Sequence, residues 1–157
     1  MRPYPRNSPS AAARIVALTL LADGQLQPAE LSSLEAQHAH RRLGLRRYEL
    51  HTVLDDFCTD LLDDAKAARD DECRITPALI ELLLADIDHP ALQRQVLRLC
   101  AAVIRADGRV DEGESVVLAA AVEHWGMAPE GFEALARSWG DRAGGQGSMP
   151  RPGRLAA

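Results

Sequence analysis

Apolar residues recur at three- and four-residue spacing along most of this chain, and prolines, glycines and small polar caps divide them into helix-length segments. Ser8-Pro9 reads as a cap with proline at the first helical position, opening a helix that runs to Ala22 and stops at Gly24. Pro28 opens a second helix, which sets Leu31, Leu34 and His38 on one face and ends at Gly44. A third, from Arg46 to Ala67, carries Leu50, Val53, Leu54, Phe57, Leu61 and Leu62 inward and acids on its other side. Thr76-Pro77 repeats the cap signal and starts a fourth with Leu79, Ile80, Leu83, Leu84 and Ile87. Asp88-His89-Pro90 restarts the chain for a fifth helix with Leu92, Val96, Leu99, Cys100 and Val103 inward. A sixth runs from Glu112 to Trp125, and a seventh, Pro129 to Trp139, offers Phe132, Leu135 and Trp139 to the core.

These segments predict an all-α bundle of about seven helices, with helices one and two resembling helices five and six as an internal pseudo-repeat of two helix hairpins. Residues 1–8 hold two prolines and no periodicity and are expected to be a disordered N-terminus. Residues 9–140 are expected to form one helical domain, and residues 141–157 a disordered tail rich in glycine and proline.

Composition supports the fold class and narrows the function. Of 157 residues, 46% are hydrophobic but only 4% aromatic, which fills helices rather than strands. The net charge of −5 and the lack of a basic face interleaved with aromatics argue against nucleic acid. Cys58, Cys73 and Cys100 show no C-x-x-C spacing for zinc or redox work, and Cys58 and Cys100, which fall on apolar helix faces, are expected to be buried thiols, in keeping with a reducing compartment. The apolar stretch Ile15–Ala22 has the length of a signal-peptide core, but Leu99–Ala106 repeats its pattern deep inside the chain, so it is read as a helix of the fold. The longest apolar run, Val116–Val122, is too short to span a bilayer, and a cytoplasmic protein with no transmembrane segment is expected.

The feature with chemical content is a phrase that occurs twice. Ala22-Asp23-Gly24-Gln25-Leu26-Gln27-Pro28-Ala29-Glu30 and Ala106-Asp107-Gly108-Arg109-Val110-Asp111-Glu112-Gly113-Glu114 both read A-D-G-x-(Leu/Val)-x-x-x-E, and each joins two helices. Capping accounts for Glu30 and Glu114, which fall at the third position of the next helix, and Asp111 with Glu114 makes a capping box. Asp23 and Asp107 stand at helix C-termini, where the dipole disfavours anions by a few tenths to about 1 kcal/mol. Two explanations stay open. Asp before Gly forms turns by accepting nearby amides; alternatively the aspartates bind a cation.

The phrase matches the second half of a calcium-binding EF-hand loop, but the first and third ligand positions would be Thr19 and Leu21, or Val103 and Arg105, which an apolar helix occupies. One joint has too few oxygens for a cation that takes six to eight, whereas Asp23, Glu30, Asp107, Asp111 and Glu114 together supply enough. An all-oxygen set points to calcium, magnesium or manganese rather than zinc.

With an apolar helix before it and a second copy in the chain, this phrase resembles the TerB-like tellurite-resistance domain family. The closest stretch is Asp88–Trp125, including Val103-Ile104-Arg105-Ala106-Asp107-Gly108-Arg109-Val110-Asp111-Glu112, and with the first copy the resemblance covers about residues 10–140. The first copy departs from the pattern at Gln25 and Gln27, where further acids are expected. The resemblance implies a helical bundle with both acidic joints on one surface. It also implies a metal-binding or metal-sensing role in a stress response associated with tellurite, working with membrane and calcium-binding partners. The family's acidic positions fall on Asp23, Glu30, Asp107, Asp111 and Glu114. Some co-chaperones carry the domain beside a His-Pro-Asp signature, which this chain lacks; its Asp88-His89-Pro90 has another order.

Other groupings are weaker. Asp56, Asp60, Asp63 and Asp64 share a helix face and read as a solvated stripe or a docking surface for a basic partner. Arg41, Arg42, Arg46 and Arg47 are expected to neutralise it. His38 and His40 should point to different faces, and His51 is expected to hydrogen-bond Asp55. No nucleophile stands at a recognisable spacing from a base and no phosphate loop is present, so a non-enzymatic module is expected. Two readings follow: a cation-binding stress-response module with a protein partner, or a helical protein–protein interaction domain that uses its acidic surfaces without metal.

Overall fold

The computed structural model describes residues 1–22, 27–68, 75–104 and 112–127. Among these lie seven helices and no strand: α1 (Pro9–Leu20), α2 (Pro28–Ala36), α3 (Ala39–Leu43), α4 (Arg47–Ala68), α5 (Pro77–Leu84), α6 (Pro90–Ile104) and α7 (Glu112–His124). The described residues are all-α, as the periodicity predicts.

The fold is organised around α1. Every residue from Ala11 to Leu20 is buried, so this helix has no solvent face; a helix apolar on all sides belongs at the centre of a bundle. It packs on α3, α4, α5, α6 and α7, and its three alanines at 11–13 let neighbours approach closely. Around it the core is completed by Leu34, Leu43, Leu50, Val53, Leu54, Phe57 and Leu61, then Ile80, Leu83, Leu84, Ile87, Val96, Leu97, Leu99, Val103 and Val117. Both cap signals form as the sequence predicts. Ser8 Oγ accepts from the Ala11 amide at 3.1 Å, and Thr76 Oγ1 from the Leu79 amide at 3.2 Å.

Three expectations need correction. The continuous helix from Pro28 to Gly44 is broken: α2 stops at Ala36, His38 adopts φ +49°, and α3 ends at Gly44 with φ +79°. An unbroken helix would put Leu34, His38 and Arg41 on the core face. The break turns His38 out to solvent and brings Ala39 and Leu43 in beside Leu34, which offsets a left-handed non-glycine residue costing about 1–2 kcal/mol. Leu62, expected inward, is 53% exposed, because the Phe57–Leu61 row fixes the buried face and Leu62 lies a further 100° round.

Residues 1–8, read as a lead-in for want of periodicity, make specific contacts. Met1 and Tyr4 pack against the core. The Asn7 amide donates to Asp86 O at 2.8 Å, while its side-chain oxygen accepts from the amides of Asp88 and His89 at 2.9 and 3.1 Å. Charge pairing and main-chain hydrogen bonds hold this segment, and neither leaves a periodic trace.

The predicted helix Pro129–Trp139 and the tail 141–157 lie outside the described residues. Seven helices are reached because the second predicted helix divides. No described helix is long and apolar enough to cross a membrane.

Candidate functional site

The two repeated phrases touch at one described point, between Ala22 and Gly113. Gly113, in the first turn of α7, lies so close to the end of α1 that a Cβ there would stand 2.5 Å from Ala22 O and 2.9 Å from its carbonyl carbon. Only glycine allows that approach. Ala22 is the first residue of one phrase and Gly113 the eighth of the other, so the contact joins the repeated phrases themselves. Around it α1 packs on both α6 and α7, and α6 also packs on α2.

Of the five candidate carboxylates, the structure describes the side chain of Glu30. It is 3% exposed, at the third position of α2, and its Oε2 accepts from the Gln27 amide at 2.8 Å. This is the capping role the sequence assigns, with the carboxylate at the positive end of the helix dipole. Asp23, Asp107 and Asp111 lie outside the described residues, as does the side chain of Glu114. Asp23 follows Ala22 directly in the chain, and Asp111 and Glu114 are within two residues of Gly113. Among the described residues no group of three or more His, Cys, Asp or Glu side chains is placed to hold a metal ion.

The stripe on α4 is covered at Asp56 and Asp60 and exposed at Asp63 and Asp64. Arg2 pairs with Asp56 and Asp60, the Met1 amino group is 3.6 Å from Asp64, and Lys66 is 3.7 Å from Asp63. The arginines around Gly44 do not supply this neutralisation. Arg47 instead pairs with Glu35 of α2, which holds that carboxyl below its ordinary value, and Arg46 reaches the Tyr48 hydroxyl at 3.2 Å. His51 turns to Glu35, with 3.5 Å between Nε2 and Oε1, rather than to Asp55. His38 and His40 are closer than a straight helix would place them: the break at His38 sets their rings edge to face, 6.4 Å between centroids.

Two buried polar features escaped the sequence reading. Arg14, 4% exposed, sits in the apolar α1 and donates to Asp86 Oδ2 at 2.7 Å and to Arg2 O. The signal was available, as the lone charge in an otherwise apolar helix. Thr19 Oγ1 lies 3.3 Å from Cys100 Sγ between α1 and α6.

Burial pushes the Cys100 thiol up from 9.0 to about 12. Its neutral form is therefore the one the fold accepts, and the associated stability is fully present below pH 9 and lost as pH rises towards 12. Plots of unfolding free energy against pH should fall across that window, and Cys100→Ala should flatten the fall. Equal slopes in the two proteins would contradict the assignment.

Comparison of the chain with protein-family models, with curated proteins and with solved structures finds no match.

Proposed function

We propose that this protein is a non-enzymatic, TerB-like stress-response module that binds a divalent cation between its two acidic joints and passes the bound state to a protein partner. What supports the reading is the approach of Gly113 to Ala22, which sets the first repeated phrase against the second. Either joint alone offers too few oxygens for calcium, whereas carboxylates drawn from both satisfy the six to eight it takes. The packing of α1 on α7 and of α6 on α2 is the arrangement expected if helices α1–α2 and α6–α7 are related as a pseudo-repeat. Oxygen ligands favour calcium, magnesium or manganese, and the carboxylates would repel tellurite itself, an oxyanion.

In this reading Glu30 and Glu114 order the joints as caps, while Asp23, Asp107 and Asp111 carry the charge that a cation offsets. Calcium, magnesium and manganese should each be titrated against the melting temperature of the wild type and of Asp23→Asn with Asp107→Asn. At a hundredfold excess over the dissociation constant, binding stabilises the wild type by about 2.7 kcal/mol, and the double variant should lose that response. A wild type whose melting temperature is unmoved by any of the three ions overturns the proposal and leaves the metal-free interaction domain.

A further inference from the structure

The first residues of the chain lie in a groove between α1 and α4 whose walls are built to read a peptide. Asp60, 9% exposed, accepts from the Arg2 amide at 2.7 Å through Oδ2, and its other oxygen stands 3.5 Å from Arg2 Nε. From the opposite wall Arg14 donates through Nη1 to Arg2 O. Two buried groups of opposite charge, on two helices, thus take the main-chain donor and acceptor of a single residue. Asp56 takes the guanidinium of that same residue. Two positions on, the Tyr4 ring covers Arg14, with Cζ 4.9 Å from the ring centroid. Pro3 between them favours the extended backbone that the geometry needs.

The arm does not fill this site. Arg14 Nε is buried and has no hydrogen-bond partner among the described residues, although the rest of the same guanidinium is engaged. A buried donor without an acceptor is an unmet requirement, which a segment offering one more oxygen at that point would satisfy. The arm also has no helix or strand of its own, and its residues 2, 3, 5, 6 and 7 are exposed.

We propose that the groove between α1 and α4 is a docking site for an extended segment of a partner protein carrying an arginine and, two residues on, an aromatic ring, and that residues 1–7 hold it closed in cis. The chemistry of recognition is read from the occupant: a guanidinium over Asp56 and Asp60, main-chain contacts to Asp60 and Arg14, and a ring on Arg14. A segment joined directly to α1 competes at an effective concentration on the order of millimolar, so an incoming segment binds tightly only once the arm's own arginine contact is weakened. The inference is independent of the cation reading.

The test uses the full chain and a labelled heptapeptide with the sequence of residues 1–7, followed by fluorescence anisotropy. Arg2→Ala in the protein should raise its affinity for the peptide at least tenfold over wild type. Adding Asp60→Asn to that variant should abolish binding, as should replacing the peptide's own arginine at position two by alanine. Equal affinity of wild type and Arg2→Ala, no saturable binding to either, or binding indifferent to Asp60→Asn each overturns the proposal. Should Arg2→Ala fail to fold, amide exchange on the wild type decides. Excess peptide should release protection at the Arg2 and Asn7 amides, and unchanged protection at millimolar peptide would refute it.

Discussion

Gly113→Ala is expected to destabilise the protein by about 1–3 kcal/mol, the range for forcing an extra carbon into a packed site. The sign is the informative part, because alanine in a helix is ordinarily favoured over glycine by about 1 kcal/mol. The new Cβ would stand 2.5 Å from Ala22 O, and backbone cannot swing aside as a flexible side chain can. The end of α1 is also held, with the Leu21 and Ala22 amides bonded to Ala17 O and Thr19 O at 3.0 and 3.3 Å. The exposed Ala119 of the same helix provides the control: Ala119→Gly should cost about 1 kcal/mol, so the two exchanges run against each other in propensity yet both destabilise. Urea midpoints for both variants are the measurement. A Gly113→Ala protein as stable as wild type would mean that α7 does not abut α1 as described.

Asp86→Ala is expected to cost about 3 kcal/mol, because it leaves the buried Arg14 guanidinium without its countercharge. Arg14→Met should cost less than half as much. Methionine fills similar volume, and Asp86, with 27% of its side chain exposed, can turn to water once its partner is gone. The asymmetry arises because the penalty for a stranded charge depends on which partner is buried. Thermal or chemical unfolding of the two single variants and the double variant closes a cycle. If Arg14→Met proves the more damaging, the packing of the arginine stem, rather than the charge pair, is what the core needs.

Much of the fold was legible because it rests on signals with local causes. Ser8-Pro9 and Thr76-Pro77 state where α1 and α5 begin, and Leu50, Val53, Leu54, Phe57 and Leu61 state which face of α4 is buried. The break at His38 was not legible in the same way. Local spacing from Pro28 to Gly44 suits one helix, and it takes the rest of the core to decide that Ala39 and Leu43, rather than His38 and Arg41, should face inward.

The candidate site was legible in part. The repeated phrase marked both joints and the capping role of Glu30, but not that Gly113 abuts Ala22. The clue was there in the difference between the copies: where the first has Ala29, the second has Gly113, an otherwise unfavourable choice inside a helix. The arm over α4 left no such clue, since its pairs link Arg2 to Asp56 and Asp60 across most of α1 through α4.

That arm also sets an order of events when the protein is made. Its hydrogen bonds span 58 residues from Arg2 to Asp60 and 82 from Asn7 to His89. At synthesis rates of roughly 5–20 residues per second, its last partners emerge several seconds after it does. Residues 1–7 leave the ribosome before every element they pack on, and until Asp86, Asp88 and His89 exist the contacts of Asn7 cannot form.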